Sequence, residues 1–342
     1  MRSNPTISIV IPTRNRRQLL QETMASIMAQ TFRDWELIVI DDASEDDTFS
    51  CMSRMDDERI KAIRLQQHSE RSAARNLGLG VARGEFIQFF DDDDLLVESA
   101  LQLHLEAFKR YPAAIASVGS VTRFDRHGTC VTVKNVQRRC LRRVWIDLIA
   151  GWNVACGPSL FRTEAIKAVK GWDTTYSMLE DIELWLRLAR RGPVALMPEV
   201  IYKFRIHDGQ WRPPQRKLWK LATRLLTQSV QQTAGSEREA AERFLAAREC
   251  FHVAAGHYQD DETLKALASY WKGVRLAPGV LRSPLMGPRL RLAMRNCLIG
   301  GRPVIAFWQQ RLLKRKNLDF SGRSIIPSEG RVSLAVSNED NI

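Results

Sequence analysis

"EFIQFFDDDDLLVESA", residues 85–100, runs from an apolar, strand-like stretch straight into four consecutive aspartates, Asp91 to Asp94. Adjacent carboxylates repel one another. A chain that ends a buried strand this way must supply positive charge, or a great deal of water, at that point.

The same arrangement recurs outward from it. "ISIVI" (7–11) is a β-branched apolar run ending at Pro12, and "WELIVI" (35–40) ends at Asp41-Asp42. "IKAIRL" (60–65) reads as a third strand and "EFIQFF" (85–90) as a fourth. Between them residues 17–30 carry Leu20, Met24, Ile27 and Met28 at helical spacing, "SEDDT" (44–48) is a turn and helix start, and 70–82 is a helix closed by Arg83-Gly84. Strands that are apolar throughout, separated by helices, predict an α/β fold with a mostly parallel sheet covered on both faces. Ligands of such sheets bind beyond the carboxyl ends of the strands. Pro12-Thr13-Arg14-Asn15, Asp41-Asp42 and Asp91–Asp94 are therefore expected to meet at one sheet edge.

Farther along, "RRCLRRVWIDLIAGW" (138–152) is expected to be one amphipathic helix, and "GPSLFRTEAIKAVKGWD" a strand leading into a helix. Residues 178–192 predict a helix with Ile182, Trp185, Leu186 and Ala189 on one face, stopped by Gly192. "EVIYKFRIHDGQW" (199–211) reads as a final strand. After Pro213-Pro214 the pattern is helical to about residue 316, and the polar tail 317–342 is expected to be disordered. The division this suggests is 1–211, 212–316 and 317–342.

The net charge of +12 is uneven: +1 over residues 1–211, +13 over 212–316 and −2 over 317–342. The basic block therefore serves a different purpose from the first 211 residues. Its two segments 212–226 and 290–316 mix Trp, Leu and Ile with Lys and Arg. This suits either a peripheral helix on an anionic membrane or a helical subdomain packed on the rest. Nucleic-acid binding is not expected, because no binding module accompanies the charge. No apolar run approaches the roughly 18–20 residues needed to span a bilayer. The first residues show no leader pattern, and the six cysteines form no CxxC pair. Both point to a cytoplasmic catalytic part with free thiols.

Each candidate motif has a bland reading beside the chemical one. Asp91 and Asp93 have the Asp-x-Asp spacing that can hold a divalent cation against a diphosphate, but an isolated motif of this kind is usually a solvated loop. Asp42 can accept from a base or ribose, or simply make a turn. Arg71 and Arg75 can face phosphates, or lie on a helix surface. Glu180-Asp181 can position a general base, or complement a helix dipole. His207, near Arg205, can meet a metal or phosphate, or be structural.

In combination these stretches resemble the family 2 glycosyltransferases of GT-A fold. The matching segments are "SIVIPTRNR", "TFRDWELIVIDDASEDDT", "SAARNLGLGVARGEFIQFFDDDD", "GPSLFRTEAI", "GWDTTYSMLEDIELWLRLARRG" and "YKFRIH", and the resemblance covers roughly residues 6–208. The resemblance implies a nucleotide-diphospho-sugar donor, with uridine the foremost nucleotide, and a divalent metal, Mn²⁺ or Mg²⁺. It implies that Pro12, Thr13 and Arg14 cradle the nucleotide and Asp42 recognises the base, with Arg71, Arg75 and Asp92 also on the donor side. Metal ligation falls on Asp93, with Asp91 and His207 beside it. The acid pair Glu180 and Asp181 lies at the acceptor, with Asp181 as base. The implied reaction is an inverting transfer to a glycan or lipid-linked acceptor in surface polysaccharide synthesis. The alternative is a scaffold that binds the sugar nucleotide without turnover.

Overall fold

The computed structural model describes residues 4–128, 130–133, 138–142, 144–149, 154–209, 214–259 and 263–278. The chain divides into two compact units, 1–285 and 286–342, and the described residues all lie in the first.

Four strands and the helices between them build the first half. They are β1 (Ile7–Thr13), α1 (Arg17–Met28), β2 (Trp35–Asp41), α2 (Thr48–Ser53), β3 (Ile60–Arg64), α3 (Glu70–Val81) and β4 (Phe86–Phe89). The strands lie parallel in the order β3-β2-β1-β4. The unbroken apolar runs follow from burial on both faces. Ile7, Ile9 and Ile11 pack with Leu20, Met24 and Ile27 of α1, while Val10, Ile38 and Ile40 pack with Ala74 and Leu79 of α3. Register aligns the strand ends: Thr13 is opposite Asp41, and Val10 is opposite Phe89. The three polar stretches that follow these strands thus emerge at one edge.

The second half completes a mixed sheet. Its elements are β5 (Leu95–Leu96), α4 (Ala100–Arg110), β6 (Ala116–Phe124), β7 (Cys130–Val133), β8 (Arg139–Leu141), α5 (Val144–Ile149), β9 (Ser159–Arg162), α6 (Thr163–Ala168), α7 (Glu180–Leu188) and β10 (Val194–Arg205). β9 lies antiparallel between β4 and β6, β10 runs parallel to β6, and β5 pairs antiparallel with β10.

Two expectations change here. Residues 138–152 are not one helix: Arg139–Leu141 pair antiparallel with Val194–Leu196 of β10, and the helix starts only at Val144. The backbone of 139–141 finds sheet partners that a local pattern does not reveal. Val144, Trp145, Leu148 and Ile149 form the buried helical face. The last strand also begins earlier, at Val194, and passes Pro198 through a register shift between Leu196 and Val200. An irregular pairing is where a sheet tolerates a residue without an N–H.

Helices α8 (Gln215–Gln231), α9 (Gly235–Gln259) and α10 (Thr263–Leu276) follow. Leu225, Leu226 and Val230 of α8 join the same core as Trp145 and Leu148, while Lys217, Lys220 and Arg224 face outward. Trp145 Nε1 donates to Ser229 Oγ at 2.9 Å, and Arg190 Nη2 donates to the Ser229 carbonyl at 2.7 Å. The apolar side of this part of the basic block is thus turned onto the protein's own core. Residues 290–316 and 317–342, for which helix and tail are expected, lie outside the described residues. No described helix is long and apolar enough to cross a membrane.

Candidate active site

The strand ends open into a cleft of about 430 Å³. Pro12, Thr13, Arg14, Asp42, Arg71, Arg75, Asp91, Asp92 and Asp93 all line it. These nine expected positions come from four separate stretches, and parallel strand register is what gathers them.

The four aspartates coexist because each has its own partners. Asp91 accepts from Arg75 Nη2 at 2.8 Å. Asp92 accepts from Thr13 Oγ1 at 2.7 Å and from Arg16 Nη1 at 2.9 Å. Asp93 Oδ2 accepts from the same Arg16 nitrogen at 2.7 Å and lies 3.1 Å from His207 Nε2. Asp94, fully buried, accepts from the Tyr202 hydroxyl at 2.5 Å and from the Arg205 backbone N–H at 2.7 Å. Burial pushes Asp92 up to about 6 and, with the neighbouring Asp91 and Asp93 charges, Asp94 up to about 8. Asp94 is therefore a tie between the aspartate loop and the end of β10. Asp91 is the most open of the first three, with its side chain 45% exposed.

Arg75 connects this loop to α7. It is buried, with Trp172 against its guanidinium at 4.5 Å, and also lies 3.4 Å from Glu180 Oε1. Arg71 reaches the same Glu180 oxygen at 3.5 Å. Glu180 is thus committed to two arginines. Its neighbour Asp181 accepts only a local bond among those described, from the Ile182 N–H at 2.8 Å. Burial, then the adjacent Glu180 charge, raises Asp181 to about 6. Burial first, and then the Asp181 charge, lifts the Cys156 thiol well above its ordinary value.

Asp42 also lines the cleft. Its Oδ1 accepts from the Ser69 N–H and its Oδ2 lies against His68 Nδ1, both at 2.7 Å. The loops around the cleft are backbone-constrained: Asn15, Ala43, Glu70 and Leu179 all have positive φ. Leu179 immediately precedes the Glu180-Asp181 pair. Such conformations cost about 1–3 kcal/mol each and persist where surrounding structure over-determines them.

Glu180, Asp181 and His207 do not line the cleft itself. Arg71 and Arg75 hold Glu180, and with it Asp181, beside it, while Asp93 holds His207. Arg205, expected near the diphosphate, spends its guanidinium on Glu22 at 2.7 Å and on the Asp93 carbonyl at 2.8 Å. Arg16 and His68 are cleft residues that the sequence reading did not single out. Arg16 had one visible signal, its place in the same strand-end loop as Arg14. His68 had none, since only the fold turns it onto Asp42.

A divalent cation implied by the resemblance has donors of suitable chemistry here. Asp93 and His207 stand side by side and Asp91 opens to the same cleft, an oxygen and imidazole set that Mn²⁺ or Mg²⁺ accepts. Among the described residues no ready-made group of three or more ligands is present. An ion held by these side chains would need water and substrate phosphate for the rest of its coordination.

Comparison with known proteins agrees with this architecture. Residues 8–169 match the family described as Glycosyl transferase family 2. The chain is 44% identical over 100 residues to a Campylobacter jejuni GalNAc(5)-diNAcBac-PP-undecaprenol beta-1,3-glucosyltransferase, covering 28% of this chain and 32% of that protein. It is 32% identical over 117 residues to a putative teichuronic acid biosynthesis glycosyltransferase of Bacillus subtilis, covering 34% of this chain and 46% of the relative. An Escherichia coli UDP-Glc:alpha-D-GlcNAc-diphosphoundecaprenol beta-1,3-glucosyltransferase is 25% identical over 59% of this chain and 78% of its own length. The chain thus spans under half the length of the first two relatives. In structure it is similar to Staphylococcus aureus TarS 1-349, solved in complex with UDP, with a TM-score of 0.60 at 16% identity over 92% of this chain and 93% of TarS 1-349. The sheet, its parallel half and the flanking helices are those of the GT-A-type α/β fold, and residues 8–169 are similar to the family 2 glycosyltransferases.

Proposed function

We propose that this chain transfers a sugar from a nucleotide-diphospho-sugar, a UDP-sugar in the first instance, to a hydroxyl of a lipid-linked glycan acceptor in polysaccharide synthesis. The observation that carries the reading is the Arg75 bridge, which joins Asp91 at 2.8 Å to Glu180 at 3.4 Å. It ties the strand-end cleft to the start of α7, where Asp181, raised to about 6 by burial, follows Glu180.

In this reading Arg14, Arg71 and the Thr13 loop receive the donor, and Asp42 with His68 forms the wall toward the base. Asp181 is the general base. It accepts the proton of the acceptor hydroxyl as that oxygen attacks the anomeric carbon, and the nucleoside diphosphate leaves from the opposite face, inverting configuration. A carboxylate near 6 is ionised at neutral pH yet more basic than an ordinary aspartate. Asp91, Asp93 and His207 would hold the divalent cation, whose charge would offset that developing on the leaving diphosphate. Residues 1–211 form the catalytic part and the following helices brace it. The relatives' undecaprenol-linked substrates favour a place of action at a membrane surface.

The test is release of nucleoside diphosphate from a panel of sugar nucleotides, with an undecaprenol-diphosphate-linked saccharide as acceptor. It is run with Mn²⁺, with Mg²⁺ and with chelator. Release from one donor that needs metal and disappears in Asp93→Asn is expected. Release that chelator and Asp93→Asn leave unchanged would remove the metal role. Absence of both release and donor binding would overturn the transferase reading.

A further inference from the structure

One carboxylate oxygen in the cleft is used twice. Asp93 Oδ2 lies 2.7 Å from Arg16 Nη1 and 3.1 Å from His207 Nε2. The proposed cation belongs on this same Asp93–His207 pair. A guanidinium held at that oxygen and a divalent ion bound to it repel each other strongly. The same Arg16 nitrogen also meets buried Asp92 Oδ1 at 2.9 Å, yet the Arg16 side chain is 33% exposed and lines the cleft. It has somewhere to go.

We propose that Arg16 is a built-in competitor for the divalent cation, a positioning residue that occupies Asp93 until a nucleoside diphosphate draws its guanidinium away. The inference rests on the metal reading above. Guanidinium pairs with phosphate oxygens as it does with a carboxylate, and Arg16 belongs to the strand-end loop that the proposed function assigns to the donor. When Arg16 turns to the diphosphate, Asp93 and His207 are released to the cation. Metal and nucleotide then bind as a coupled pair, because each removes an obstacle to the other. The arrangement also keeps the aspartate run neutralised while the cleft is empty, without recruiting metal that has no substrate to serve.

The test is Mn²⁺ binding to the full chain, followed by calorimetry or by the paramagnetic resonance of free Mn²⁺, with and without UDP. Without nucleotide, Arg16→Gln is expected to bind Mn²⁺ roughly ten-fold tighter than the parent. Arg16→Lys, which keeps the charge, stays close to the parent. The tightening of Mn²⁺ by UDP shrinks in Arg16→Gln. Arg16→Ala is a second charge-free variant with the same expected outcome, should the glutamine form fold poorly. Arg14→Gln is the control for general charge, since Arg14 pairs with Glu45 rather than with the aspartates. An equal gain in Arg14→Gln and Arg16→Gln, or equal affinity in parent and Arg16→Gln, overturns the competition while leaving the metal site standing. No Mn²⁺ binding to any of the proteins, even with UDP, overturns the metal reading and this inference with it.

Discussion

At the scale of single residues, two neighbouring carboxylates divide their labour. Glu180 and Asp181 are consecutive acids at the start of α7, yet Glu180 faces two arginines while Asp181 keeps only a local backbone donor among the described bonds. Environment, not residue type, separates them: Glu180 is held by arginines, and Asp181 is the carboxylate that the proposed reaction uses as its base. Asp181→Asn is expected to lower kcat by roughly 10²–10⁴-fold, the usual contribution of a positioned base. UDP affinity should change little, and calorimetry would show it. The sign of the pH dependence follows from the raised value. Asp181 must be ionised to accept a proton, so the rate should climb with pH through about 6 and level off above it. A flat profile from pH 5 to 8 would exclude Asp181 as the base.

The site residues also divide into those legible in sequence and those not. Asp91 to Asp94 announce themselves as a run, but four identical letters carry no information on which carboxylate meets which partner. The Asp-x-Asp spacing singled out Asp91 and Asp93, but it did not reveal that Asp94 is held by the Tyr202 hydroxyl, 108 positions away. Arg16 likewise could not be ranked above Arg14 or Arg17 without knowing which arginine turns toward the aspartates.

At the scale of elements, α3 carries a close approach to the sheet. A Cβ on Gly78 would stand 2.3 Å from Val10 Cγ1, inside the packed core, whereas a Cβ on Gly80 would meet nothing within 4 Å. Gly78→Ala is therefore expected to destabilise by about 1–3 kcal/mol through overpacking. Gly80→Ala, on the same helix, is expected to stabilise by about 0.5–1 kcal/mol, because alanine is the better helix residue and nothing opposes it. Urea denaturation of both variants checks the pair, and a shared sign would refute the packing argument.

Helix α4 supplies an acid-sensitive contact. His104 is fully buried, with Nδ1 2.6 Å from Ser117 Oγ of β6, and burial lowers it to about 3. Folded His104 stays neutral while the unfolded chain protonates near 6.5, so stability is full above 6.5 and falls as pH drops toward 3. Between pH 6.5 and 5 the loss is about 2 kcal/mol. Urea midpoints at pH 7 and pH 5 should show this slope in the parent and much less of it in His104→Leu. An unchanged slope would place the acid sensitivity elsewhere. The strand and helix at 138–149 carry the same lesson from the other side. Arg139–Leu141 have no strand pattern of their own, and only the free edge of β10 makes them one.

At the scale of the whole molecule, the described helices after residue 214 share the core of the sheet that carries the cleft. Leu225, Leu226 and Val230 cover Trp145 and Leu148, and Ser229 receives the Trp145 indole N–H. A chain stopped at residue 214 is expected to expose this apolar surface. It should melt several degrees lower and self-associate in size-exclusion chromatography, in line with a loss of about 2–5 kcal/mol for each large buried side chain left uncovered. A monomeric fragment with the parent's melting temperature would show that residues 1–214 are self-sufficient.

By itself the sequence determined the parallel half of the sheet, because fully buried strands must be apolar throughout and their covering helices must show a 3.6-residue period. It determined where the chemistry gathers, because parallel strands end on one side and this chain places its charged loops at those ends. Only the tertiary structure decided how the charges pair, where β8 and β9 enter the sheet, and whether the basic helix α8 is covered or free. Those outcomes depend on contacts between residues tens to more than a hundred positions apart, and no local pattern encodes which of several equivalent arginines or aspartates will meet.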